Sequence, residues 1–300
     1  NYKISMKIKR TLISLLFLAY LSPVSSEKLE ELIFCFVGDT GEITKTQSLV
    51  AESLSRSDCS MIWHTGDIIY PSGIESPDDP EFKNKFLVPF KKILESEVPF
   101  YLTLGNHDYK KNPDAYIEIG KRNPLINYPN NYYLKKFESL CFVALDTTIF
   151  DKLYLFYKRK NHVNWLTSSI GELKDSCKFS IAVAHHPLFS SGDRKRASPQ
   201  LASFLESQVF GKFDMYITGH NHVLADEGDL EGTTQLISAT GSLPGGSPED
   251  TIEGKFNIET PGYLKLKIIK PNIATYEFIS ALNNEVLWSN KKIGAGFRNK

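Results

Sequence analysis

Ser60-Met61-Ile62-Trp63-His64-Thr65-Gly66-Asp67-Ile68-Ile69-Tyr70 is an apolar run closed by a glycine and an aspartate, with a tyrosine three residues further on. The run reads as a β-strand, and Gly66-Asp67 as the place where it stops. An aspartate at the C-terminal end of a strand can bridge two cations, because a carboxylate has two oxygens. A tyrosine three residues on can reach one of those cations as a phenolate. Taken alone, Gly-Asp after a strand marks only a turn. Its weight here comes from four similar strand ends elsewhere in the chain.

Upstream, the apolar residues 32–37 finish in Gly38-Asp39-Thr40-Gly41, and 44–55 have helical character. Downstream, 81–95 set Phe82, Phe86, Phe90, Ile93 and Leu94 at helical spacing, with Pro89 expected to break the helix in two. Residues 98–104 form the next strand and end in Gly105-Asn106-His107-Asp108. This strand–helix alternation predicts a largely parallel sheet covered by helices. Two neighbouring strands follow at 132–137 and 141–146, then a helix over 161–174. A strand at 179–184 ends in His185-His186-Pro187, a helix covers 199–209, and a strand at 213–218 ends in Gly219-His220-Asn221-His222. The last third is strand-rich (235–239, 263–269, 274–279 and 285–288), with a Gly/Pro-rich loop at 241–254. No repeat or linker divides residues 27–300, which read as one domain. The expected class is α/β (α+β), a four-layer sandwich of two facing mixed β-sheets flanked by helices.

Lysine plus arginine equals aspartate plus glutamate at 35 each, so no nucleic-acid-binding surface is expected. Short clusters such as Arg194-Lys195-Arg196 read as solvated loop. The first residues differ in character. Met6-Lys7-Ile8-Lys9-Arg10 is basic, 11–21 are apolar, and Ser22-Pro23-Val24-Ser25-Ser26 offers small residues for cleavage after Ser26. Residues 1–26 therefore read as an extension plus signal peptide, and the mature chain as exported: secreted, periplasmic or in a secretory compartment, with an uncleaved anchor as the minor alternative. The apolar run is too short to span a bilayer comfortably, so no membrane span is expected after cleavage. Four cysteines (Cys35, Cys59, Cys141, Cys177) permit two disulfides in an exported chain, but Cys35 and Cys141 sit in apolar runs where buried thiols fit equally.

Five strands thus end in groups able to bind a metal: Asp39; Asp67 with Tyr70; Asn106 with His107; His185; and His220 with His222. In sheets of this kind ligand sites gather beyond the carboxyl ends of the strands, so the five tips can converge. Each has a bland reading as a turn or strand exit, but five together are hard to ascribe to chance. Five of the seven histidines (107, 185, 186, 220, 222) fall in these motifs; His64 and His162 read as structural.

The order Asp-x-Gly, Gly-Asp-x-x-Tyr, Gly-Asn-His-Asp, His-His-Pro, Gly-His-x-His resembles the calcineurin-like metallophosphoesterases. Within them it resembles the purple acid phosphatases of the small, tartrate-resistant type. Asp39-Thr40-Gly41, lacking a histidine two residues after the aspartate, together with Tyr70, selects that branch, as does Ser76-Pro77-Asp78-Asp79-Pro80-Glu81-Phe82. Thr40 departs from the tryptophan common there. The resemblance spans about residues 31–280. It implies a dinuclear metal centre: Asp39, Asp67, Tyr70 and His222 for an iron(III), and Asp67, Asn106, His185 and His220 for a divalent Fe, Zn or Mn. Donor chemistry agrees, since phenolate and carboxylate suit a ferric ion and imidazoles suit a borderline divalent one.

The implied function is an exported acid phosphatase. It would hydrolyse phosphate monoesters by attack of hydroxide generated at the Fe(III)–M(II) site, with His107 as proton donor and His186 as a second outer-sphere histidine. Its substrates would be phosphorylated small molecules or phosphoproteins. Two rivals stand beside it: phosphodiester, nucleotide or phosphoprotein hydrolysis at the same site, and a non-catalytic scaffold on the same fold. Scaffolds of that kind lose ligands, whereas here every ligand position holds a competent donor.

Overall fold

The computed structural model describes residues 32–191, 197–245 and 254–298. The expected signal segment, the 194–196 basic cluster and most of the 241–254 loop lie outside them. No helix among the described residues is long and apolar enough to cross a membrane.

Among the described residues, fourteen strands form two seven-stranded mixed sheets. The first runs β14 (Val286–Ile293), β13 (Ile273–Ser280), β12 (Gly262–Lys270), β1 (Ile33–Val37), β2 (Met61–His64), β3 (Phe100–Leu102), β4 (Ile126–Asn127). The second runs β11 (Phe256–Ile258), β9 (Leu224–Leu230), β10 (Thr233–Ser238), β8 (Met215–Thr218), β7 (Phe179–Val183), β6 (Leu140–Ala144), β5 (Tyr133–Phe137). Strands β1 to β4 are parallel, as are β6, β7, β8 and β10. Strands in the middle of such a sheet are buried on both faces and so read as unbroken apolar runs; β2, β6, β7 and β8 are buried at every position.

The sheets face each other through aromatic side chains. Phe142 of β6 packs against Phe34 of β1 at 5.0 Å and stacks on Trp63 of β2 at 4.8 Å between ring centroids. Ser238 Oγ of β10 donates to Phe36 O of β1 (2.7 Å), tying the sheets together next to the strand ends.

The disulfides are Cys35–Cys59 and Cys141–Cys177, one on each sheet, so the thiol alternative for Cys35 and Cys141 does not hold. The expected break at Pro89 lies between a π-helical turn, Lys83–Leu87, and helix Lys91–Glu95. Helix Phe156–Leu173 starts five residues before its expected start at 161, because apolar spacing alone did not extend into the 153–157 run of Leu and aromatic residues. Strand β9 was absent from the sequence reading. Its Ala-Asp-Glu-Gly-Asp composition opposes a buried strand, yet Asp226 and Glu227 are buried there. Tertiary partners satisfy them: Tyr276 Oη (2.7 Å) and Trp288 Nε1 (3.1 Å) donate to Asp226, and Ser191 donates to Glu227 through N–H and Oγ (both 2.9 Å).

Candidate metal centre

The turns after β1, β2, β3, β7 and β8 meet at one edge of the sandwich. Three of the residues they present, Asp39 (φ 58°), Asp67 (φ 55°) and His220 (φ 71°), have left-handed backbone. That conformation is uncommon for residues other than glycine and clusters at functional sites. It turns each side chain sharply off its strand. The glycines before them allow close approach of chains. A Cβ on Gly105 would stand 2.1 Å from Asp67 Oδ1, and one on Gly219 2.7 Å from Asp39 Oδ2.

Two groups of donor atoms result. In the first, Tyr70 Oη donates to Asp39 Oδ1 at 2.9 Å, and His222 Nε2 lies 3.1 Å from Tyr70 Oη and 3.3 Å from Asp39 Oδ1. In the second, His185 Nε2 lies 3.2 Å from Asn106 Oδ1, 3.2 Å from His220 Nδ1 and 3.4 Å from Asp67 Oδ2. Ligand atoms of Asp39, Asp67 and His185, all buried, fall within 4.8 Å of one another and join the two groups. Two donors at right angles about one cation, each about 2.1 Å from it, are about 3 Å apart. Both groups fit that spacing.

His185, Asp39 and Asp67 are oriented from behind. His185 Nδ1–H donates to Thr65 O (2.9 Å), which turns Nε2 into the site. His220 N–H donates to Asp39 Oδ2 (2.9 Å) and His107 N–H to Asp67 Oδ1 (2.9 Å). Asp67 therefore turns Oδ2 toward His185.

The electrostatics point the same way. Burial alone would raise the Asp67 carboxyl, but His185 and His107 beside it hold it well below the usual carboxylate range. Burial would lower His185, yet Asp67 and Asp39 lift it to about 9. Burial, and then Asp39, push the Tyr70 phenol far above its ordinary value. Without a cation the phenol keeps its proton; a strongly charged ion is what would make it a phenolate.

Asp108 carries a role that the sequence reading did not assign, although it is the fourth residue of Gly105-Asn106-His107-Asp108. Fully buried, it accepts from Ile68 N (3.1 Å), Ile69 N (3.1 Å), Gly105 N (2.9 Å) and Tyr116 Oη (2.9 Å). It thereby pins the Asp67 and Asn106 turns together. His107 is partly open, its side chain 26% exposed. Nδ1–H donates to Pro71 O (2.7 Å), and Nε2 is 4.0 Å from Asp67 Oδ2. His186 is buried at 3% exposure behind His185 and His220. His64 bonds Thr40 Oγ1 (2.8 Å) and accepts from Gly66 N–H (3.2 Å). His162 packs among the rings of Tyr132, Phe150, Trp165 and Phe204. Neither offers a ligand atom to the two donor groups.

Residues 32–224 match the calcineurin-like phosphoesterase family. The chain belongs to that family. This phosphoesterase is similar to purple acid phosphatase 4 of Arabidopsis thaliana, at 26% identity over 87% of the chain and 84% of that protein. It is also similar to tartrate-resistant acid phosphatase type 5 of Oryctolagus cuniculus, at 24% identity over 78% of the chain and 80% of that protein. Among solved structures its fold matches GAP50, the anchor in the inner membrane complex of Plasmodium, with TM-score 0.76, 22% identity and 90% of each chain covered. The expected resemblance and the two-sheet class both stand. Membership and likeness together make the chain a metal-dependent phosphoesterase, and the donor set fits a dinuclear centre.

Proposed function

We propose that the protein is an exported acid phosphatase that hydrolyses phosphate monoesters at a dinuclear Fe(III)–M(II) centre. The observation that carries this reading is the pair of donor groups about 3 Å in spacing, one with a phenol and a carboxylate, the other rich in imidazole. Asp39, Tyr70 and His222 would hold the ferric ion, Asn106, His185 and His220 the divalent one, and Asp67 both. When bound, the pair supplies Lewis-acid activation of water and of the phosphoryl oxygens at acid pH. The remaining work falls to the chain. Asp108 holds the Asp67 and Asn106 turns in register, and Thr65 O fixes the His185 ring. His107, its Nδ1–H committed to Pro71 O, presents Nε2 at the open side, where it protonates the leaving oxygen. Two disulfides support export, since such bonds persist in oxidising compartments. The domain is proposed to span 27–300.

The test is metal content with the visible spectrum, followed by paired assays on a monoester and a bis-ester. One iron and one divalent ion in a purple protein, with colour lost in Tyr70→Phe, is the expected result. A colourless protein holding two divalent ions would remove the ferric assignment. Preference for the bis-ester would move the activity to phosphodiesters.

A second reading, attachment to a partner or membrane, has its own observation. Leu153, Tyr154, Phe156 and Tyr157 are each 64–72% exposed in one run, which is unusual for a surface without a partner. The anchor described for GAP50 makes the same suggestion. A chain that holds no metal and turns over no monoester would favour it.

A further inference from the structure

We infer that His186 is a further ligand of the divalent ion, through Nε2, so that three imidazoles hold it. This rests on the dinuclear reading above. His186 Nε2 is buried and has no hydrogen-bond partner among the described residues. A buried nitrogen left unpaired is costly, and in a native site it calls for an ion or a water. Its neighbours are two other imidazoles. Ring centroids are 4.8 Å to His185 and 4.5 Å to His220, and one ligand atom of each of the three histidines lies within 4.8 Å of the others. Donors on opposite sides of one ion, each about 2.1 Å from it, are about 4.2 Å apart. The three rings can therefore each bring one nitrogen to a shared ion.

Support from behind has the same form for His186 as for His185. His185 Nδ1 faces Thr65 O at 2.9 Å, and His186 Nδ1 faces Thr147 Oγ1 at 2.9 Å. With Nδ1–H donated to that hydroxyl, Nε2 keeps its lone pair, which is how metal-ligating histidines are held. His162 also has an unpaired ring nitrogen, but aromatic rings surround it and no second ligand does. His64 has both nitrogens bonded. Only His186 joins an orphaned nitrogen to a cluster of ligands among the described residues. Its burial also keeps it from a leaving group, so it serves the metal and not proton transfer. A third imidazole favours zinc or iron(II) over manganese, which prefers oxygen donors.

The experiment uses the full chain loaded with iron and then zinc, with X-ray absorption at the zinc edge counting imidazoles. The expected count is three in the wild type, two in His186→Phe, and three in His107→Ala. Zinc retention against a chelator should fall about 10- to 100-fold in His186→Phe. A residue that merely supports the site would weaken retention without changing the count. Two imidazoles in the wild type, or an unchanged count in His186→Phe, overturns the inference. His186→Asn is the second variant, and circular dichroism reports folding. If neither variant folds, the wild-type count together with His107→Ala decides. A wild type that binds neither iron nor zinc fails the dinuclear reading itself, and this inference with it.

Discussion

At His107 the ring has one nitrogen bound to Pro71 O and the other turned toward the site, while Lys110 Nζ stands 3.0 Å from Nδ1. The ring stands edge-on to Tyr70 at 4.6 Å between centroids, with Nε2 4.0 Å from Asp67 Oδ2, but it makes no hydrogen bond to either donor group; that contact is left to the backbone N–H. Removing the ring should therefore spare the metals and remove the proton donor. We expect His107→Ala to lower kcat by about 10²- to 10⁴-fold with metal content unchanged. Elemental analysis beside steady-state kinetics checks this, and equal loss of metal and turnover would end the assignment. Asp108 is the contrasting residue. Its side chain reaches only backbone N–H groups and a tyrosine, so it is a positioning group, and burial together with the Asp67 charge pushes it up to about 7.

Turns, more than strands, make the site work at the level of elements. The turn after β3 must pass so close to the turn after β2 that any side chain on residue 105 strikes Asp67. A methyl in Gly105→Ala would lie 2.1 Å from Oδ1 and 2.5 Å from the Asp67 nitrogen. Overpacking of this kind costs about 1–3 kcal/mol. Because Asp67 is proposed to serve both ions, we expect Gly105→Ala to lose both, with a lower melting temperature. A variant that keeps two metals and the parent melting curve would show that the turn yields instead. Strand β9 shows the opposite case, an element formed against its own composition because Tyr276 and Trp288 from the other sheet reach its acid.

Across the whole molecule, buried ionisable groups that are not proposed ligands shape stability with pH. Burial pushes Asp146 up to about 7, against the hydrogen bond from Tyr109. An acid whose folded pKa exceeds its unfolded value, about 3.9, holds its proton more tightly when folded. Its contribution is fully present below about pH 4 and is lost as pH rises through about 7, a span worth about 4 kcal/mol. His64 and His162, which burial lowers to about 3, act the other way: their contribution is present above about pH 6.5 and lost as pH falls. The wild-type profile sums both, so the comparison with Asp146→Asn isolates one. Urea unfolding at pH 4, 6 and 8 should show the wild type losing stability relative to this variant as pH rises. A difference that stays constant with pH would mean that Asp146 is ionised in the folded protein.

The chain alone determined which strands are central, where they stop, and which side chains stand at their ends, because full burial and abrupt strand ends leave local marks: unbroken apolar runs closed by Gly-Asp, Gly-Asn and Gly-His. Distances between those ends were beyond it. That His222 meets Tyr70, and His185 meets Asn106, follows from the order of strands in two sheets and from the way those sheets face each other. The disulfide partners, the acid-bearing strand β9 and the clamp made by Asp108 likewise depend on groups far apart in sequence. So does the position of His186, whose letter beside His185 says nothing of where its ring points. Local pattern reports the environment of a residue; only packing of the complete chain decides its neighbours.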